Sequence, residues 1–183
     1  MHKRLEDFVT AMTQLVGDAP KDEPRILKEG SRLLGDLVRH DDWLEDQHAV
    51  PHAQFYQQYL LYRAPDDAFS VVSFVWGPGQ KTPIHDHTVW GLIGMLRNAE
   101  VSQSFERDEN TGTLTATEQV RLEPGSVEAV SPTIGDVHQV INAFDDRVSI
   151  SIHVYGADIG TVRRHVFDPE TGAAKEFVSG YAN

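Results

Sequence analysis

Cysteine is absent from all 183 residues. Disulfides, thiolate metal ligands and a thiol nucleophile are therefore excluded together. No stretch approaches the roughly 18 consecutive apolar residues that a membrane-spanning helix needs. The opening Met1-His2-Lys3-Arg4-Leu5-Glu6-Asp7 lacks the apolar core of a secretory signal, so a cytoplasmic protein with no membrane partner is expected. Basic residues are few, 16 against 28 acidic ones for a net charge of −12, and they are scattered. A surface of that sign repels phosphate backbones and argues against a nucleic-acid partner. Any anionic ligand must be met by individual arginines. Internal repeats, low-complexity tracts and long linkers are missing as well.

What is present reads as one domain spanning 1–183, long enough to bury a core without staples. Residues 1–47 carry helical periodicity. Leu5, Phe8, Val9, Met12, Leu15 and Val16 form one stripe, and Ile26, Leu33, Leu34, Leu37 and Val38 form a second after a break at Asp18-Ala19-Pro20. Trp43-Leu44 marks a short third piece, and the whole region is expected to cap the domain. Residues 55–167 change texture. Short β-branched and aromatic runs, from Tyr56–Tyr62 and Phe69–Trp76 to Arg147–Tyr155, are separated by Gly77-Pro78-Gly79, Asp108-Glu109-Asn110-Thr111-Gly112, Glu123-Pro124-Gly125 and Phe144-Asp145-Asp146. That spacing predicts an all-β jelly-roll barrel. Residues 168–183 read as a C-terminal extension, a turn before one last short strand or arm.

The chemistry concentrates in His85-Asp86-His87 and in His138, about fifty residues later. On a strand, the period of two puts His85 and His87 on one face and Asp86 on the other. A third histidine from a distant strand closes a facial site of three nitrogens that leaves positions open for exchangeable ligands. Gly79 through His87 has the form G-x5-H-x-H. Gly125 through Asn142 has the form G-x6-P-x2-G-x2-H-x3-N, with Pro132, Gly135, His138 and Asn142 in the fixed places. Together they resemble the two motifs of the cupin superfamily, which implies a double-stranded β-helix. Cupins usually place a glutamate four residues after the second histidine. Gly91 stands there, so a three-histidine site is expected.

Ser151-Ile152-His153-Val154-Tyr155 sets three polar groups on one strand face. A Ser-x-His-x-Tyr strand after a cupin site resembles the thiol dioxygenases of the cysteine dioxygenase family, as does Trp76-Gly77-x-Gly79 before the ligands. The resemblance implies Fe(2+) held by His85, His87 and His138, with Ser151, His153 and Tyr155 as a hydrogen-bonded relay. It implies a small thiol carboxylate and O2 as the reacting partners and the sulfinic acid as product. The mammalian-type cross-link of the tyrosine to a cysteine cannot form, because Gly91 occupies the cysteine's place; the chain resembles the bacterial glycine-type branch. Gln58 stands where the cysteine-specific enzymes carry an arginine, which resembles the glutamine-type subgroup associated with 3-mercaptopropionate. That subgroup has an arginine some nine residues beyond the relay tyrosine, where Arg164 stands beside Arg163.

Alternatives stay open at this point. With a slipped register Arg63 becomes the carboxylate clamp of an L-cysteine dioxygenase, and Gln57 competes with Gln58. A non-catalytic cupin that binds a metal or small ligand is a further reading. Three histidines alone accept Fe, Zn, Ni or Cu, so iron follows from the resemblance only. His2, His40, His48, His52 and His165 fit no motif and read as surface or capping groups. Trp76 and Trp90 read as core or pocket wall.

Overall fold

The computed structural model describes residues 1–108 and 110–183; Glu109, in the turn expected over Asp108–Gly112, lies outside the described residues. Two helices come first. α1 (Lys3–Asp18) is capped by the His2 side chain, which accepts from the Arg4 amide, and it buries Leu5, Phe8, Val9, Met12 and Leu15. α2 (Glu23–Val38) starts on an Asp22 cap with Pro24 in its first turn, where the missing N–H costs nothing. The third helical piece is displaced. A 3-10 turn forms at Asp46–His48 rather than at Trp43-Leu44. The buried Trp43 indole donates instead to the Leu37 carbonyl at the end of α2, and so bends the chain there.

Eleven strands follow: β1 (Gln57–Arg63), β2 (Ser70–Trp76), β3 (Ile84–His85), β4 (Gly91–Arg97), β5 (Glu100–Arg107), β6 (Leu114–Leu122), β7 (Val127–Val130), β8 (His138–Asn142), β9 (Ser149–Tyr155), β10 (Arg164–Phe167) and β11 (Ala174–Phe177). They form two sheets, β1-β2-β9-β4-β7 and β11-β10-β3-β8-β5-β6, and all the strand pairings are antiparallel. This is the expected cupin jelly roll with its N-terminal helical cap.

The helices cover the outer face of the five-stranded sheet. Val71 and Val75 of β2, Ile150, Ile152 and Val154 of β9, and Leu92 and Leu96 of β4 share a core with Met12, Leu34 and Val38. The contact is close: a Cβ at Gly94 would lie 2.8 Å from Leu34 Cγ, and one at Gly30 would lie 2.8 Å from Leu92. Alternate residues of the same strands face inward. Val72, Phe74 and Trp76 of β2 therefore stand beside Ser149, Ser151, His153 and Tyr155 of β9 inside the barrel. Both faces of β2 and β9 are covered, so every residue of each is buried.

Candidate metal centre and substrate pocket

The three histidines converge from the six-stranded sheet. His85 on β3 pairs directly with His138 on β8, and the two rings lie 4.9 Å apart. His87 is not on a strand, contrary to expectation. The Asp136 carboxylate accepts hydrogen bonds from both the His87 and Thr88 amides, and Thr88 takes a positive φ of 61°, so the chain turns out of the ladder. The His87 ring still lands 4.9 Å from His85 and 4.8 Å from His138. One ligand atom from each of the three lies within 4.8 Å of the others.

Each ring is oriented by a bond to Nδ1. Pro83 carbonyl holds His85 at 3.0 Å, Asp136 holds His87 at 2.9 Å, and Ser102 Oγ holds His138 at 3.1 Å. With Nδ1 engaged, Nε2 of each ring is the atom left to ligate a metal, and His87 Nε2 is buried with no partner at all. Burial and the neighbouring His87 push His85 down to about 3, and burial holds His138 far below its ordinary value. Neutral imidazoles are the form that binds a cation. Burial pushes the Asp136 carboxyl up, but its hydrogen bond and charge interaction with His87 outweigh that and keep it below the usual range. The donor set thus fits a divalent metal.

The opposite wall of the barrel carries the relay. Ser151 Oγ is 2.8 Å from His153 Nε2, and His153 Nδ1 is 2.8 Å from the Tyr155 hydroxyl. The His153 ring stacks on Phe74 at 4.1 Å and the Tyr155 ring on His87 at 5.4 Å. Burial keeps His153 neutral and raises the Tyr155 hydroxyl, so both are uncharged at neutral pH. Gly91 adjoins the tyrosine: a Cβ there would meet its ring at 3.0 Å and Val130 at 3.1 Å. A glutamate ligand at this position would displace Tyr155.

His85, His138, His153 and Tyr155 open on one tight cavity, lined also by Tyr56, Gln58, Trp76, Arg164, Phe177 and Ser179. Arg164 is 3% exposed. Its Nη2 donates to Ser179 Oγ at 2.7 Å, its guanidinium stacks 4.7 Å from the Phe177 ring centre, and its Nε is buried without a partner. No carboxylate pairs with it among the described residues. Gln58, rather than Gln57, faces the cavity, and its amide donates to the Gly180 carbonyl. Arg63 is placed elsewhere. It is exposed at the far end of β1 and paired with Asp158 at 3.2 Å and Asp67 at 3.6 Å, so it is no clamp for this cavity. Arg163 is likewise exposed, on Glu176.

Several residues at the site escaped the sequence reading. Asp136 and Ser102 orient ligands, and Trp76 is more than wall, since its indole donates to Ser151 Oγ at 3.0 Å. The C-terminal extension also builds the site. Beyond β11 it supplies Ser179 and Gly180, and Ala182 donates to the Gln58 carbonyl while Asn183 brackets both backbone groups of Leu60. The Asp86 carboxylate is taken up by the His165 amide and ring.

A family model described as cysteine dioxygenase type I matches residues 52–168. The cysteine dioxygenase type 1 proteins of Rattus norvegicus and Mus musculus are each 24% identical over 168 residues, which covers 82% of this chain and 82% of theirs. Among solved structures, an uncharacterized conserved protein with a double-stranded β-helix domain from Klebsiella pneumoniae aligns with a TM-score of 0.47 at 15% identity, over 76% of this chain and 93% of its own. An RmlC-like cupin protein from Desulfovibrio desulfuricans aligns with a TM-score of 0.43 at 21% identity, over 64% of this chain and 94% of its own.

Proposed function

Because this chain belongs to the cysteine dioxygenase type I family and is a thiol dioxygenase, we propose that it uses Fe(2+) on His85, His87 and His138 to oxidise 3-mercaptopropionate to its sulfinic acid. The observation that carries the substrate assignment is Arg164, a buried guanidinium with no counter-ion among the described residues, in the same cavity as His85 and His138. Leaving such a cation unpaired is costly, and a planar fork matches a carboxylate in bidentate fashion. A carboxylate gripped there sends a short thiol chain toward the metal end of the cavity.

The absence of a second charge supports 3-mercaptopropionate over cysteine. Among the described residues no aspartate or glutamate lines the cavity, so the α-ammonium of cysteine would be buried unpaired. Iron, when bound, supplies the charge that ionises the thiol and the electrons that activate O2. The protein's share is placement. Arg164 and the adjoining Gln58 fix the carboxylate, Phe74 and Trp76 exclude water, and the Ser151–His153–Tyr155 line holds a proton at the Tyr155 oxygen beside the reacting sulfur. The balance is one thiol and one O2 to one sulfinic acid.

Oxygen uptake by anaerobically iron-loaded protein tests this reading with 3-mercaptopropionate, L-cysteine and cysteamine. A higher kcat/KM for 3-mercaptopropionate than for the other two is expected. Preference for cysteine, or indifference to the carboxylate, overturns the assignment.

A further inference from the structure

The segment beyond β11 brings to the candidate pocket a donor that the proposed chemistry leaves unassigned. Phe177, the last residue of β11, pairs with Arg164 on β10, and the guanidinium stacks on its ring. Two residues on, Ser179 returns to the same guanidinium, whose Nη2 donates to Ser179 Oγ at 2.7 Å. Arginine has no acceptor, so this bond uses a lone pair of the hydroxyl and leaves its proton to be given elsewhere. Among the described residues no acceptor is hydrogen-bonded to that proton.

Three donors therefore stand on the wall of one cavity with nothing to receive them. Arg164 Nε is buried without a partner, and Ser179 has its hydroxyl proton. The Gln58 amide keeps a second N–H after giving one to the Gly180 carbonyl. A carboxylate, with two oxygens and about four acceptor sites, can take all three. Ser179 is exposed while Arg164 is buried, so the pair marks the rim of the cavity.

The chain on either side fixes the serine there. Before it lies β11, paired along its length with β10. After it, Gly180 takes a positive φ of 65°, its amide donates to the Gly160 carbonyl, and its own carbonyl accepts from Gln58. The Tyr181 hydroxyl accepts from the Gly160 amide at 2.9 Å and donates to Asp158, a buried carboxylate that also pairs with Arg63. The Tyr181 ring packs so closely on Gly160 that a Cβ there would not fit. A hydroxyl held in advance costs little ordering when a ligand arrives.

We propose that Ser179 is a substrate-binding residue whose hydroxyl, held by Arg164, donates its proton to the substrate carboxylate, with Gly180 and Tyr181 as positioning residues. The anion is then met by a guanidinium–serine pair, and a thiol without a carboxylate gains nothing from it.

The inference rests on the reading of Arg164 as the carboxylate's partner and adds Ser179 to it. In the iron-loaded enzyme, S179A should raise KM for 3-mercaptopropionate about tenfold, with most of the loss in KM rather than kcat, and change KM for cysteamine by about twofold at most. S179T keeps the hydroxyl and should return KM to within about threefold of wild type. A second readout needs neither metal nor turnover. In 15N-arginine-labelled, metal-free protein, the Arg164 Nε–H signal, assigned by R164K, should shift as 3-mercaptopropionate is added, with about tenfold weaker affinity in S179A than in wild type. Equal affinities in the two proteins, a KM loss that falls equally on cysteamine, or an S179T no better than S179A overturns the proposal. The stated loss of affinity in a protein whose iron-loaded form prefers L-cysteine would leave Ser179 in place and sink the substrate assignment alone.

Discussion

Asp136 holds His87 through three bonds, at the ring nitrogen, the His87 amide and the Thr88 amide. Replacing it with asparagine keeps the shape and removes the charge that orients and strengthens the ligand. Asp136→Asn should weaken metal affinity by about 10- to 100-fold, read by competition with a chromophoric chelator under anaerobic conditions. Ser102→Ala removes only a neutral partner from His138 and should cost less. Arg164→Ala should raise KM for 3-mercaptopropionate on the order of 100-fold while leaving cysteamine nearly unaffected. Equal effects on both thiols would remove Arg164 from carboxylate recognition. His85-x-His87 and Ser151-x-His153-x-Tyr155 were legible because each is a local pattern in the sequence, although His87 stands beyond the end of β3 rather than on it. Asp136, Ser102 and Trp76 were not, because their partners stand 49, 36 and 75 residues away in the chain and come together only across the barrel.

At the scale of elements, β2 and β9 explain why the barrel reads so clearly. Both have apolar residues toward the helices, and both turn functional groups or aromatics inward, so their runs are long and apolar enough to recognise. β3 is shorter than the strand expected through His87: it has only two residues, Ile84 and His85, held by pairs to β8 and β10. The helix cap was legible in its stripes, while its seating on β4 depends on glycine. Gly94→Val places new atoms against Leu34 and Val38, where even a Cβ comes within 3.0 Å. Loss of about 1–3 kcal/mol is expected by denaturant titration. Gly17 in α1 is the contrast, with nothing within 4 Å of a Cβ. Gly17→Ala should stabilise by up to about 1 kcal/mol, through helix propensity alone.

For the molecule as a whole, the buried carboxyl groups make stability depend on pH. Glu100 loses its proton near 4.5 in an unfolded chain and near 8 in the folded one. Between those values the folded protein retains a proton that the unfolded chain has released. This contribution is therefore complete below about pH 4.5 and is lost as pH rises through 8. Denaturant titrations at pH 5, 6.5 and 8 should show wild type losing on the order of a few kcal/mol relative to E100Q across that range. Glu128, also raised by burial, adds a slope of the same sign to both proteins and cancels in the comparison. A difference that does not change with pH would mean that Glu100 is ionised throughout.

The last residues of the chain have a further consequence. β1 is the outer strand of its sheet, and the backbone of Gln58 and Leu60 on its open side is occupied by Ala182 and Asn183. An open strand edge of this kind is a template on which a second copy can add its own strand. The segment that brings Ser179 to Arg164 therefore also covers that edge. A nick near Val178 would uncover a sticky edge and loosen the substrate's anchor in the same event, so aggregation and loss of affinity should arise together rather than in sequence.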